Sequence, residues 1–284
     1  MKSFNASINV CMQNFRKWPT NYRIWIILLL LIVLIHSFSK GYVEFCEATD
    51  IKMGPWLFVF LFNQTLVKIL FFLPLFLIFC DAPFVDANQP YVIIRSKRIA
   101  WNAGQVFYII LSTGIYFLAI LSLSVILNLP QIEFMGGWGT VFNTLGGSDA
   151  ARALALKSVF VSDRTLYYFS PYQAVWFTFL LTWLSGIFLG LTTYALNFAS
   201  NAKSVGIAFS AFFLLLDAGF GENPDIFRVS PISWSVLEHI DIGNLTSFPS
   251  IRYIYAGFSV VIAALIAITF FVSKRQSINV SAPV

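Results

Sequence analysis

Lys68 is the residue whose chemistry is hardest to explain away. It sits in the run Thr65-Leu66-Val67-Lys68-Ile69-Leu70-Phe71-Phe72. A lysine at the centre of a membrane helix costs about 2.5–3.5 kcal/mol, against about −0.3 to −0.6 for each Leu, Ile, Phe or Val. Eighteen of those four residue types lie between positions 56 and 80, so the segment still inserts and carries its lysine without needing a partner. Gln64 is four residues before Lys68 and shares its helix face, with Thr65 alongside. Gln64, Thr65 and Lys68 are therefore candidates for a polar stripe facing a translocation path or a subunit interface, as intramembrane charges tend to do. The bland alternative is an interhelical contact with no role in transport. Asp217, at the end of another apolar run, reads as the marker of that run's boundary.

Beyond Lys68 the sequence lacks the constellations that catalysis uses. A phosphate-binding loop needs glycine amides followed by Gly-Lys-Ser/Thr, and the Lys-Ser pairs at 2, 157 and 203 do not follow a glycine. Leu237-Glu238-His239-Ile240-Asp241 offers one histidine where a zinc helix needs two, and no G-x-S-x-G elbow occurs. Two histidines, His36 and His239, and three scattered cysteines at 11, 46 and 80 give no metal-site spacing. The chain is expected to be neither an enzyme nor a metal protein. Clustered acid or histidine pairs within the spans, which a membrane-embedded protease or transferase would need, are missing.

The elements that must position these residues follow from composition. Of 284 residues 58% are hydrophobic and only 11% charged, where a soluble domain has about 25% charged. Apolar runs of about 20 residues recur, each able to cross a hydrocarbon core of about 30 Å. The fold class is an all-α polytopic membrane protein forming one transmembrane domain. Six spans are expected at about 24–38, 56–80, 105–127, 173–197, 204–219 and 251–273. Phe4, Ile8, Cys11, Met12 and Phe15 recur at helical spacing before Pro19, so 1–21 reads as an amphipathic helix lying on the membrane surface. Segments 40–54, 81–104, 128–171 and 220–250 connect the spans. Asp149 to Phe160 has the pattern of a short surface helix, and 220–250 of a stretch that dips into the interface without crossing. Gly186 and Gly190 form a G-x-x-x-G, a spacing that permits close helix packing or dimerisation.

Charge gives the orientation. With six spans and an inside amino terminus, Lys2, Arg16, Lys17, Arg23, Arg95, Lys97, Arg98, Lys203, Lys274 and Arg275 share the cytoplasm with only Asp81 and Asp86. Seven bases face eleven acids on the other side, and inversion would reverse the asymmetry, so both termini are placed in the cytoplasm. The same rule accounts for the pI of about 9.1 without invoking nucleic acid.

Three stretches carry a family resemblance. Asp81-Ala82-Pro83-Phe84, followed by Pro90-Tyr91-Val92-Ile93-Ile94-Arg95-Ser96, a basic cluster and Trp101, resembles the D-x-P-F … Y-x-x-x-R-S pattern between the second and third spans of ABC-2-type permeases. Ser170-Pro171 leads into a span with Trp183-Leu184 and Gly186 that ends at Asn197. Ser230-Pro231-Ile232-Ser233-Trp234 precedes the last span. Together they are similar to the membrane-spanning permease subunits of bacterial ABC-2-type ABC transporters. The 44-residue segment at 128–171 is longer than the external loop of that pattern.

The resemblance implies a permease subunit that forms the translocation path of an ATP-binding-cassette exporter in the bacterial cell membrane. It implies a separate cytoplasmic ATPase subunit, which would hold the ATP and Mg, and a second permease subunit, identical or not. The coupling contact would be the stretch from Asp81 to about Tyr91, with Asp81 capping a short helix, Phe84 as its apolar anchor, and Pro83, Asp86 and Tyr91 shaping it. Arg95, Lys97 and Arg98 would set sidedness and meet anionic membrane lipids. The alternative is a non-transporting immunity or sensor protein that retains the permease fold.

Overall fold

The computed structural model describes residues 2–85, 89–220, 223–242 and 246–275. Among them the structure is helical and without a β-strand, and five helices are long and apolar enough to cross a membrane. These are α2 (Tyr22–Thr49), α7 (Arg98–Ile126), α11 (Pro171–Ser200), α12 (Lys203–Phe220) and α14 (Ile251–Arg275), numbered with the shorter α1 (Lys2–Phe15), α3 (Leu57–Phe60), α4 (Thr65–Phe72), α5 (Pro74–Phe79), α6 (Gln89–Ser96), α8 (Gly139–Gly147), α9 (Ala150–Ala153), α10 (Asp163–Tyr168) and α13 (Pro224–Val229).

α11 is the axis. Ser170 and Gln173 close a reciprocal capping box around Pro171, which starts the helix where its missing N–H costs nothing. The helix has 30 residues, about 45 Å at about 1.5 Å per residue. Every residue from Ser185 to Ala195 is buried, the signature of a helix surrounded by others rather than facing lipid. Asn201 turns the chain in the left-handed region, and α12 packs back against α11. That return is tight enough to require glycine: a Cβ on Gly206 would lie 2.2 Å from the Thr193 carbonyl oxygen. The Gly206 N–H donates to Asn197 Oδ1 at 2.7 Å. Asn197 Nδ2 donates in turn to the Ala82 carbonyl at 3.1 Å, tying α12 and the turn after α5 to one side chain.

Gly186 and Gly190 also serve internal packing. A Cβ on Gly186 would meet the Phe117 ring at 2.8 Å, and one on Gly190 would meet Ile109 at 2.6 Å. The pair opens room for α7 and α5 of the same chain, the close-packing alternative of the two that the spacing permits.

The second apolar run is the main departure from expectation. Instead of one helix over 56–80 it forms α3, α4 and α5, with a non-helical break at residues 61–64 and a second joint before Pro74. Proline lacks the N–H that would continue the ladder and clashes with the preceding turn. Gln64 is extended, with φ −90° and ψ 127°. Even so, the run follows α11 from end to end. Trp56 packs on Tyr172 with ring centroids 4.9 Å apart, and Ala82 reaches Asn197.

Other boundaries shift. α2 continues past residue 38 to Thr49, absorbing most of the expected acidic loop. The segment 81–104 is not one loop: a turn at 81–84 precedes α6, and α7 begins at Arg98 after Lys97, whose φ is 66°. α1 is helical as its spacing indicates, but it docks on α7. Asn14 Nδ2 donates to Gln105 Oε1 at 2.7 Å, and Trp18 Nε1 to the Tyr108 hydroxyl at 3.0 Å. Gly104 leaves room for Val10 and Ser7. Val10 and Cys11 are buried, and Phe4, Ile8 and Met12 stay exposed. Burial pushes the Cys11 thiol up to about 11.

The two ends of the bundle differ. At one end, the basic end, lie Arg23, Arg98, Lys203 and the last turn of α14 with Lys274 and Arg275. At the other, residues 128–170 form a cap. Trp56 Nε1 donates to the Gly137 carbonyl at 2.7 Å, Trp138 Nε1 to Phe169 at 3.0 Å, and the Phe160 N–H to the Tyr42 hydroxyl at 3.0 Å. Phe60 and Phe142 stack at 5.1 Å. The expected surface helix over Asp149–Phe160 shrinks to α9, because Ala155 and Ser158 take positive φ. Between α12 and α14, α13 and two single turns at Ser233–Ser235 and Leu237–His239 bury Phe227, Ile232, Trp234, Leu237 and Ile240. Ser185, halfway along α11, donates to the Pro231 carbonyl at 2.9 Å, so this stretch dips deep into the bundle.

Candidate functional site

Three elements converge where the second run is broken. Thr65 begins α4, so Lys68 projects from its first turn, and the side chain is fully buried. Its ammonium lies 2.9 Å from Asp217 Oδ1 and 2.7 Å from Oδ2. Asp217 stands in the last turn of α12, also fully buried. Ser233, in the dipping segment, donates its hydroxyl to Asp217 Oδ1 at 2.6 Å. One carboxylate thus fastens α4, α12 and the dipping segment together. In a low-dielectric interior the attraction is strong but the desolvation cost is comparable, so such a pair chiefly fixes geometry.

Two clefts flank the break. One, of about 440 Å³, is lined by Gln64, Thr65 and Leu66, by Asp217 to Phe220, and by Asn223. The other, of about 370 Å³, lies under the cap between Asn63, Gln64, Leu145, the stretch 159–162 and Glu238. Gln64 borders both. Irregular backbone at membrane depth survives only where protein or a water-filled cavity covers it, and here the cap and the clefts do so. The three residues of the expected stripe therefore separate. Lys68 turns inward to its partner, while Gln64 and Thr65 line a cleft. Asp217 lies in the last turn of α12, as a residue at the run's boundary should, and it is also Lys68's counter-ion. The readable signal was sign: one base and one acid inside apolar runs of a chain with few charges.

The basic end is built differently. Asp81 pairs with Arg23 and lies 4.0 Å from Lys203. Arg23 also donates to Cys80 Sγ at 2.9 Å. Among the described residues Asp81 caps no helix; it opens the turn 81–84, which contains a cis bond between Ala82 and Pro83. Phe84 is not an exposed anchor. Its ring is buried edge-on against Tyr108 at 4.9 Å and packs toward Phe79 at 6.5 Å. Asp86 lies outside the described residues. The exposed apolar side chains sit further on, in α6, with Tyr91 71% and Ile94 78% exposed. α6 touches both α1 and α7, which gathers Phe4, Ile8, Met12, Tyr91 and Ile94 at one end of the bundle.

Fold and site define the class: an all-α, multi-pass membrane protein with a buried ion pair at a broken helix. No protein-family model, curated protein or solved structure matches the chain.

Proposed function

We propose that the chain is the permease subunit of an ATP-binding-cassette exporter, coupled to a separate cytoplasmic ATPase that binds ATP and Mg. The observation that carries this reading is the surface at the basic end. There α1 and α6 rest on the base of α7 and leave Tyr91, Ile94, Phe4, Ile8 and Met12 exposed beside Arg95, Lys97 and Arg98. An apolar patch ringed by charge is what a docking partner reads. The coupling element is accordingly α6 with α1, and Asp81, Pro83 and Phe84 form the turn that holds it. The broken second run, whose α3 and α5 pack on α11, is read as a sixth crossing. With that count, the charge asymmetry supports a cytoplasmic basic end and cytoplasmic termini, and the proposed setting is a bacterial cell membrane. The path lies along the clefts at Gln64 and Thr65, closed on its far side by a second permease subunit.

Purification of the full chain from its own membranes is expected to bring down a protein with a phosphate-binding loop. The double variant Tyr91→Ala/Ile94→Ala is expected to lose that protein while inserting normally. Recovery of the chain with no such ATPase would favour the immunity or sensor reading, and equal recovery with the variant would remove α6 from the coupling role.

A further inference from the structure

The cleft under the cap contains a side chain whose polar atoms are not accounted for. Both Asn63 Oδ1 and Asn63 Nδ2 are buried without a hydrogen-bond partner. Buried polar groups are almost always paired, and an unpaired one in a native structure calls for a reason. A carboxamide presents an acceptor and a donor side by side in one plane. In an extended peptide the N–H and C=O of one residue point to the same side and answer both at once. The opposite wall supports the same chemistry: Val159, Phe160 and Val161 lie in a non-helical stretch and make no backbone–backbone hydrogen bond among the described residues. The Phe160 N–H is taken by Tyr42, and its neighbours face the cleft. Leu145 and Val159 to Val161 line the cleft together with Ser162 and Glu238, so its surface is more polar than apolar, and the Gln64 carboxamide adds a second amide. At about 370 Å³ it falls within the usual range of ligand sites, about 300–1,000 Å³.

We propose that this cleft binds an extended peptide, with Asn63 pairing to the N–H and C=O of one ligand residue and the 159–161 stretch running alongside it. Main-chain hydrogen bonds give such sites affinity, and pockets for alternate side chains give them selectivity. The proposal rests on the permease reading only in treating the peptide as cargo; binding itself is a property of this chain.

The test uses the full chain in lipid nanodiscs without any ATPase, and dansyl-trileucine amide as probe. Its partner probe is the same molecule with the central amide replaced by an ester, which keeps the apolar bulk and removes one N–H donor. Binding above that of empty nanodiscs is expected, about tenfold weaker for the ester. Asn63→Leu is expected to bring amide and ester binding to the same weak level. Its Tm should stay level or rise, because the change removes an unpaired buried amide. Equal binding of the two probes by the unaltered chain, or binding no better than empty nanodiscs, overturns the proposal. So does a fall in the Tm of Asn63→Leu with probe discrimination intact, which would make Asn63 a packing residue. None of these outcomes bears on ATPase co-purification, so the two readings fail separately.

Discussion

α12 is fastened to the second apolar run at both ends, by ion pairs of opposite polarity in opposite surroundings. At its start, Lys203 reaches Asp81, which Arg23 also holds, and the Asp81 side chain is 51% exposed. Near its other end, Asp217 meets Lys68 and Ser233 with both charges fully buried. Sequence swaps the signs: base on α12 with acid on the run at one end, acid on α12 with base on the run at the other. The ion pair is therefore soft at the basic end, where water and salt can replace either partner while the buried Asn197 still ties Gly206 to Ala82. It is stiff at the broken helix, where both charges are buried. In the proposed coupling, a push delivered at the basic end would rotate α12 about its inner clamp and move the clefts at Gln64. The proposed coupling needs that division of labour.

The largest effect tests the stiff clamp. Removing one member of a buried pair strands the other charge, a loss of about 3–5 kcal/mol, while apolar replacement of both is close to neutral. Lys68→Ala and Asp217→Ala should each lower thermal stability in nanodiscs strongly, and Lys68→Met with Asp217→Leu together should recover most of it. If either single change costs under about 1 kcal/mol, a range typical of solvated pairs, the two clamps are alike and the contrast is lost.

Phe84 comes next. Burial against Tyr108 and Phe79 predicts that Phe84→Ala destabilises by about 3 kcal/mol, at the low end for buried phenylalanine because the site borders a turn. Tyr91→Ala, at an exposed position, should stay within about 0.5 kcal/mol. Chemical denaturation of both variants checks this. A stable Phe84→Ala that nevertheless loses the ATPase would restore Phe84 as the anchor and place the soft region further from the core.

The same contrast marks what could be read beforehand. The helical class and the long apolar helices follow from hydropathy, because lipid demands them. The Ser170-Pro171 start of α11 and the dip at 220–250 are also legible, since Ser-Pro and the short fifth run leave local signals. The break at 61–64 was hidden. Asn63 and Gln64 hinted at it, but eighteen apolar neighbours made one continuous helix look sufficient, and only the cap over residues 128–170 makes a gap tolerable there. The fate of Phe84 was hidden for the complementary reason: an aromatic in a polar loop looks available until Tyr108, 24 positions later, covers it. Lys68 and Asp217 were each visible, and 149 residues of separation concealed that they belong together.

Asp81→Asn should have the smallest effect and the most informative salt dependence. The pair with Arg23 and the 4.0 Å approach of Lys203 lie at a partly exposed surface, where ion pairs contribute about 0–1 kcal/mol. Screening shortens to about 3 Å at 1 M salt, so the difference in Tm between Asp81→Asn and the unaltered chain should be small in dilute buffer and vanish in concentrated NaCl. Asp217→Asn, measured alongside, should show a large difference that salt changes little, because buried charges are screened much less than exposed ones. If Asp81→Asn instead cost as much as Asp217→Asn, α12 would be clamped rigidly at both ends. A rigid strut cannot turn a movement of α6 into a movement at Gln64, and the route proposed from the ATPase to the clefts would have to run through α7.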